Sequence, residues 1–223
     1  MRHVVLDTET TGPSSKDGDR VIQASAVELY NRVFTGRTFN TFVNPQGRKS
    51  TYDSYQVHKI SETDLENAPD YATVHPALVE FIGDAMLVIH NKRFDLDFLN
   101  TEAERIGTTF EFEAVDTTDL SLERWPGQAV NLNAVIKRLG LDTTEGGLRQ
   151  ALAGIDWDRE IPLIDRARKH DALVDCIWTA IAFQNLTSAH ELDLSQGGGR
   201  AAKPWPFAAH RIPVVPLRTD ILC

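Results

Sequence analysis

Nine residues near the start of the chain, Val4-Val5-Leu6-Asp7-Thr8-Glu9-Thr10-Thr11-Gly12, constrain what it can become more than any other stretch. A β-branched apolar run leads straight into two carboxylates separated by one residue. Side chains alternate faces along a strand, so Val5, Asp7 and Glu9 project from one side and Val4, Leu6 and Thr8 from the other. Two carboxylates held that close repel each other, and a cation between them removes the conflict. Oxygen-only ligands suit Mg²⁺ or Mn²⁺ better than zinc. For an isolated D-x-E pair a solvated strand end is the plain alternative, so the remaining ligands have to come from elsewhere in the chain.

Composition narrows the partners. At 223 residues the chain can form one large or two small domains with a substantial core. Its 42% hydrophobic and 25% charged content is that of a soluble globular protein. The net charge of −9 argues against coating duplex nucleic acid by phosphate neutralisation, but not against gripping one strand end. No apolar run reaches membrane-spanning length, and residues 1–12 lack a basic-then-apolar leader, so neither membrane insertion nor secretion is expected. Cys176 and Cys223 offer neither a disulfide framework nor a zinc pattern. The expected setting is a reducing cytoplasm.

Taken in order, Pro13 to Asp19 is a polar loop, and Val21 to Tyr30 a strand with Val21, Gln23, Ser25, Val27 and Leu29 on one face. A turn near Thr35-Gly36 leads to a strand over Thr38 to Val43. Residues 55–83 read as two helical pieces, with Ser61 and Asp64 as a capping arrangement and Pro69 as the interruption. Met86 to Ile89 is a short buried strand, Phe94 to Ile106 an amphipathic helix, and Val115-Asp116 a further strand. Helices are expected over Asp119–Arg124, Asn131–Leu139 and Asp171–Leu186. Leu148, Leu152 and Ile155 give residues 144–165 a helical stripe, which reads as an extra helix on the core rather than a partner dock or lid. Strands followed by helices alternating with short strands imply an α/β fold, one mixed sheet with helices on its faces. This domain covers residues 1–187. Residues 188–223 contain a glycine triplet and four prolines and are expected to be an extended or disordered tail.

Two further stretches carry chemistry. In Ile89-His90-Asn91-Lys92-Arg93-Phe94-Asp95 a buried strand delivers Asn91 to its C-terminal edge, where open sheets collect ligands, and Asp95 falls in the first turn of the next helix. A carboxylate there also suits the helix dipole without any ligand. In His170-Asp171-Ala172-Leu173-Val174-Asp175, residues 170 and 175 would be rotated by ~140° on a regular helix. They can face one site only if His170 lies in the loop ahead of the helix and Asp175 one turn inside. A mobile imidazole beside a fixed carboxylate is then a workable base.

The motifs V-L-D-T-E-T-T-G, V-I-H-N-K-R-F-D-L-D-F-L and H-D-A-L-V-D, with Val57-His58-Lys59-Ile60 between the first two, resemble those of the DEDDh 3′–5′ exonucleases. This is a ribonuclease H-like superfamily, and the likeness is strongest to the proofreading, epsilon-type subunits of bacterial replicative DNA polymerases. The resemblance implies a mixed five-stranded sheet flanked by helices. It implies that Asp7, Glu9, Asp95 and Asp175 hold two divalent cations, Mg²⁺ or Mn²⁺, with His170 as general base. Thr10, Thr11, His58, Asn91 and Phe94 would meet the terminal nucleotide, the first two through backbone or hydroxyl contacts. The implied reaction is two-metal hydrolysis of single-stranded or frayed DNA 3′ ends to nucleoside 5′-monophosphates, in proofreading or repair. An RNA 3′-end trimmer of the same fold and a non-catalytic nucleic-acid-binding module are the alternatives. Residues 188–223 would dock a polymerase subunit or a sliding clamp. Gln23 stands where such relatives often carry Glu, and Ser25 where they often carry Gly; neither belongs to the implied metal set.

Overall fold

The computed structural model describes residues 1–161 and 170–193, with backbone alone for 189–193. Residues 162–169 and 194–223 lie outside the described part, and with them the end of the 144–165 insert and the Gly/Pro-rich stretch.

Five strands form one sheet: β1 (Arg2–Thr10), β2 (Val21–Tyr30), β3 (Val33–Phe42), β4 (Met86–Ile89) and β5 (Ala114–Asp116), in the order β3-β2-β1-β4-β5. The first three make an antiparallel meander, and β4 and β5 run parallel to β1. The helices are α1 (Tyr52–His58), α2 (Glu62–Leu65), α3 (Tyr71–Ile82), α4 (Lys92–Arg105), α5 (Thr117–Arg124), α6 (Leu132–Arg138), α7 (Glu145–Ala151) and α8 (Ala172–Asp193).

The alternation of β1 divides the core. Val5 joins Val27, Leu29 and Val88 in a cluster with Leu173, Ile177 and Trp178 of α8 and Val135 of α6. Val4 and Leu6 face the other way, onto Tyr71, Val74 and Leu78 of α3 and Phe98 and Leu99 of α4. Helix α8 is buried on all sides from Ala172 to Phe183, which suits a helix apolar around its whole circumference. It runs on to Asp193, past the expected end at Leu186 and past the 187/188 boundary. Leu148 of α7, with Leu152 and Ile161, joins the α8-side cluster, and Ile155 and Trp157 pack against it. The described part of the 144–165 insert is thus a helix and strap on the core.

Three local expectations change. The β2–β3 turn is Asn31-Arg32, both at positive φ (51° and 66°), and the right-handed twist of a two-residue hairpin needs that conformation. Gly36 sits inside β3 instead, at φ +87°, where a Cβ would lie 1.8 Å from the Asp156 carbonyl oxygen. The glycine lets the 156–158 strap lie directly on the strand, with Asp158 N–H donating to Gly36 O at 3.0 Å. A register shift between Glu9 and Thr10 turns Val21 onto the α3/α4 side, away from Gln23. Residues 52–82 form three helices rather than two. Ser61 and Asp64 do form a reciprocal capping box at the start of α2, and Asp70 caps α3 just after Pro69.

Candidate active site

β1 pairs with β4 only as far as Val5↔Val88, so the last residues of β1 have no strand on that side. The N-terminus of α4 fills the gap. Asp95 Oδ1 accepts from Thr8 N–H at 2.9 Å and from Thr8 Oγ1 at 2.8 Å, tying the α4 carboxylate to the residue that separates Asp7 from Glu9. Asp95 is 2% exposed, and burial pushes its carboxyl up to about 7 despite the two Thr8 donors, with the Asp116 charge adding to the rise.

On the opposite face, α8 starts at Ala172, leaving His170 in the preceding loop and Asp175 in the first turn. His170 Nδ1 lies 3.1 Å from Asp175 Oδ2. Ligating atoms of Glu9, His170 and Asp175 all fall within 4.8 Å of one another. Asp7 and Asp175 together line a depression of about 430 Å³ with His90, Asn91, Thr118 and Asn131. Asp175 therefore belongs to both groupings. Burial raises the Cys176 thiol well above the usual range, and the charges of Asp7, Asp175, Asp95 and Asp171 each add to the rise.

The remaining expected contacts divide. Asn91 is exposed on the depression, at φ 66°, and Phe94 is half-buried with its ring 5.0 Å from that of Phe98. Thr10 is buried and its hydroxyl donates to Gly12 O at 2.8 Å. Thr11 is fully buried; its N–H donates to Arg20 O, its carbonyl accepts from Thr51 N–H, and its hydroxyl meets Asp19 and Arg20 N–H. These bonds brace the loop behind the site. His58, 1% exposed, is likewise enclosed, with Nδ1 accepting from Ile60 N–H at 2.9 Å. The neighbouring Val57 carbonyl accepts from His170 N–H at 3.3 Å, which ties α1 to the histidine loop.

Sequence reasoning passed over three participants. Asp116, at the end of β5, accepts from Asn91 and Lys92 N–H at 3.0 and 2.9 Å and from Thr118 N–H at 2.8 Å, fixing the β4–α4 turn. An aspartate closing a strand just before Thr-Thr was the available signal. His90 contacts Thr117 Oγ1 at 2.7 Å on the wall of the depression. Asp19 occupies the space beside Gly12, where a Cβ would lie 2.2 Å from its carboxylate, and is held by Arg48 at 2.7 Å.

An exonuclease family profile matches residues 4–183, most of the chain. The chain belongs to the exonuclease family. Over 157 residues this exonuclease is 37% identical to a DNA polymerase III subunit epsilon of Rickettsia felis, covering 68% of each protein. Its fold is similar to that of exonuclease X in complex with 5′-overhanging duplex DNA, with TM-score 0.61 and 21% identity over 85% of this chain and 93% of that one. It is also similar to the nuclease domain of 3′hExo, a DEDDh family member bound to rAMP, with TM-score 0.62 and 14% identity over 85% and 92%. The ribonuclease H-like architecture read from the sequence is the one observed. Among the described residues no helix is long and apolar enough to cross a membrane.

Proposed function

We propose that this exonuclease hydrolyses single-stranded or frayed DNA from the 3′ end, releasing nucleoside 5′-monophosphates in proofreading or repair. The convergence of Glu9, His170 and Asp175 within 4.8 Å, beside Asp7, carries the reading. The donor set fits hard divalent cations, because carboxylate oxygens dominate it and Asp95 keeps Oδ2 outside its bonds to Thr8. Asp7, Glu9, Asp95 and Asp175 would hold two such ions, Mg²⁺ or Mn²⁺. When bound, the pair supplies Lewis acidity and positive charge against the phosphate.

The chain's own groups do the rest. Donation from Nδ1–H of His170 to Asp175 at 3.1 Å sets the tautomer and leaves Nε2 as the acceptor. Nε2 removes the proton of the water that attacks the terminal phosphorus, the P–O3′ bond breaks, the departing 3′ oxygen takes a proton from solvent, and the Asp175 charge steadies the imidazolium that results. With its side chain 31% exposed, His170 then returns that proton to solvent. Asn91 and the open edge of Phe94 hold the terminal nucleotide, and an aromatic face accepts every base. Thr10 and Thr11 brace the loop behind the site, and the Val57 carbonyl holds the histidine loop through His170 N–H.

An acidic exonuclease grips nucleic acid weakly by itself, so a tether raises the local concentration of ends. The R. felis relative is named as a polymerase III subunit, and by analogy a polymerase subunit is the partner of this reading, in a cytoplasmic setting. Docking to it or to a sliding clamp would use residues 188–223. RNA trimming is the second reading, favoured by fold similarity to a nuclease domain bound to rAMP. One experiment separates them: 3′-labelled DNA and RNA strands of one sequence, incubated with Mg²⁺ or Mn²⁺ and with a chelator. Mononucleotide release from DNA that stops with chelator and in Asp7→Ala supports the reading. Full activity of Asp7→Ala overturns the assignment of that carboxylate.

A further inference from the structure

Gln23 is 1% exposed and stands opposite Glu9 in the β1–β2 ladder, so both side chains leave the sheet on one face. Its amide nitrogen donates to Asn40 Oδ1 at 3.0 Å and to Asp171 Oδ2 at 3.4 Å, and its oxygen accepts from Ala172 N–H at 3.4 Å. The other Asp171 oxygen accepts from Leu173 and Val174 N–H at 3.1 and 3.4 Å, capping α8. Ser25 Oγ completes the network with a 2.8 Å bond to Asn40. One neutral amide therefore grips both the backbone and the capping carboxylate where the histidine loop becomes α8. His170 precedes that point by one residue, and Asp175 follows it by one helical turn, its N–H donating to Asp171 O at 2.9 Å.

We propose that Gln23 is a positioning residue for the nuclease reaction: through Asp171 it sets where α8 begins against β2, so that His170 and Asp175 converge on Glu9. The inference rests on the function proposed above. With Asp at 171, an amide suits this position because it donates to Asn40 and Asp171 and still accepts from Ala172 N–H. A carboxylate at 23 would meet Asp171 Oδ2 with no donor between them, beside Glu9, and would drive the start of α8 off the sheet. Moving the amide to the other partner removes the conflict. Asn at 171 still caps the helix and donates its NH₂ to Glu at 23, while Asn40 turns its own amide to donate as well.

The test compares wild type with Gln23→Glu, Asp171→Asn and the double variant, measuring kcat and KM on a 3′-labelled single-stranded oligonucleotide and melting temperature in chelator. Gln23→Glu is expected to lose on the order of 10²-fold in kcat, as ~1 Å misplacements do, with KM nearly unchanged. Its metal-free melting temperature should fall by about 3 °C or more. The double variant should regain most of both, an exchange that a space-filling role for Gln23 would not produce. Normal turnover of Gln23→Glu beside an active wild type overturns the positioning role alone; an inactive wild type overturns the proposed function and this role with it. If Gln23→Glu does not fold, recovery of folding and turnover in the double variant supports the exchange, and failure there refutes it.

Discussion

Replacing Thr8 with Val tests the electrostatic heart of the site with almost no change of shape. Valine fits a strand as well as threonine does, so β1 should persist. The substitution removes the 2.8 Å bond from Thr8 Oγ1 to Asp95 Oδ1 and leaves the 2.9 Å backbone bond in place. A hydrogen bond to a charged group is worth ~1.5–3 kcal/mol, or ~1–2 pH units of carboxyl affinity. Burial already raises the Asp95 carboxyl to about 7, so the variant should ionise only at a higher pH still without metal. Cations need the ionised form, so activity against pH at fixed Mg²⁺ should shift alkaline by ~1–2 units, and extra Mg²⁺ should pull it back. Stability gives the same sign. A carboxyl raised on folding contributes stability that is full below its unfolded value of 3.8 and is lost as pH rises through about 7. In chelator this amounts to on the order of 4 kcal/mol for wild type, and divalent cations should restore it. The assay is initial-rate kinetics from pH 6 to 10 at several Mg²⁺ concentrations, with parallel thermal melts. A Thr8→Val profile superimposable on wild type would refute the reasoning.

Two other outcomes follow from the same structure. His170→Ala should lose ~10²–10⁴-fold in kcat while binding Mn²⁺ nearly as well as wild type by calorimetry; undiminished turnover would make His170 a bystander. Burial, with help from the N-terminal charge and Arg32, lowers the imidazole of His3 to about 4. The unfolded chain then takes up a proton that the folded one refuses, so stability should fall by ~3 kcal/mol as pH drops from 6.5 towards 4. Denaturant titrations should show a flatter acid limb in His3→Phe, and an unchanged slope there would count against this account.

Much of the site was legible because strand and helix periodicity are set by covalent geometry. That Asp7 and Glu9 share a face, and that His170 must precede a helix carrying Asp175, follow from a repeat of two and a turn of 100°. The structure agrees, with Val5 on the α8 side, Val4 and Leu6 on the other, and α8 starting at Ala172. The hairpin turn was misplaced because Thr35-Gly36 carries the stronger local signal, whereas Asn31-Arg32 adopts positive φ and Gly36 serves a contact 120 residues away with Asp156. A motif names Thr11 and His58 without saying which of their atoms the fold engages, and here both are buried with hydrogen bonds of their own.

The sequence alone determined the chemistry on offer: four carboxylates and an imidazole in three stretches, each already aimed by its own secondary structure. Only the tertiary structure decided which partners each one finds. Asp95 arrives from the α4 face and spends one oxygen on Thr8, while Asp175 and His170 arrive from the α8 face, anchored through Asp171 to Gln23. Those choices depend on two helices packing against opposite sides of one strand, and on hydrogen bonds between residues some 90 to 150 positions apart. Local periodicity cannot encode such distances, because burial and long-range partners set which oxygens remain for a cation.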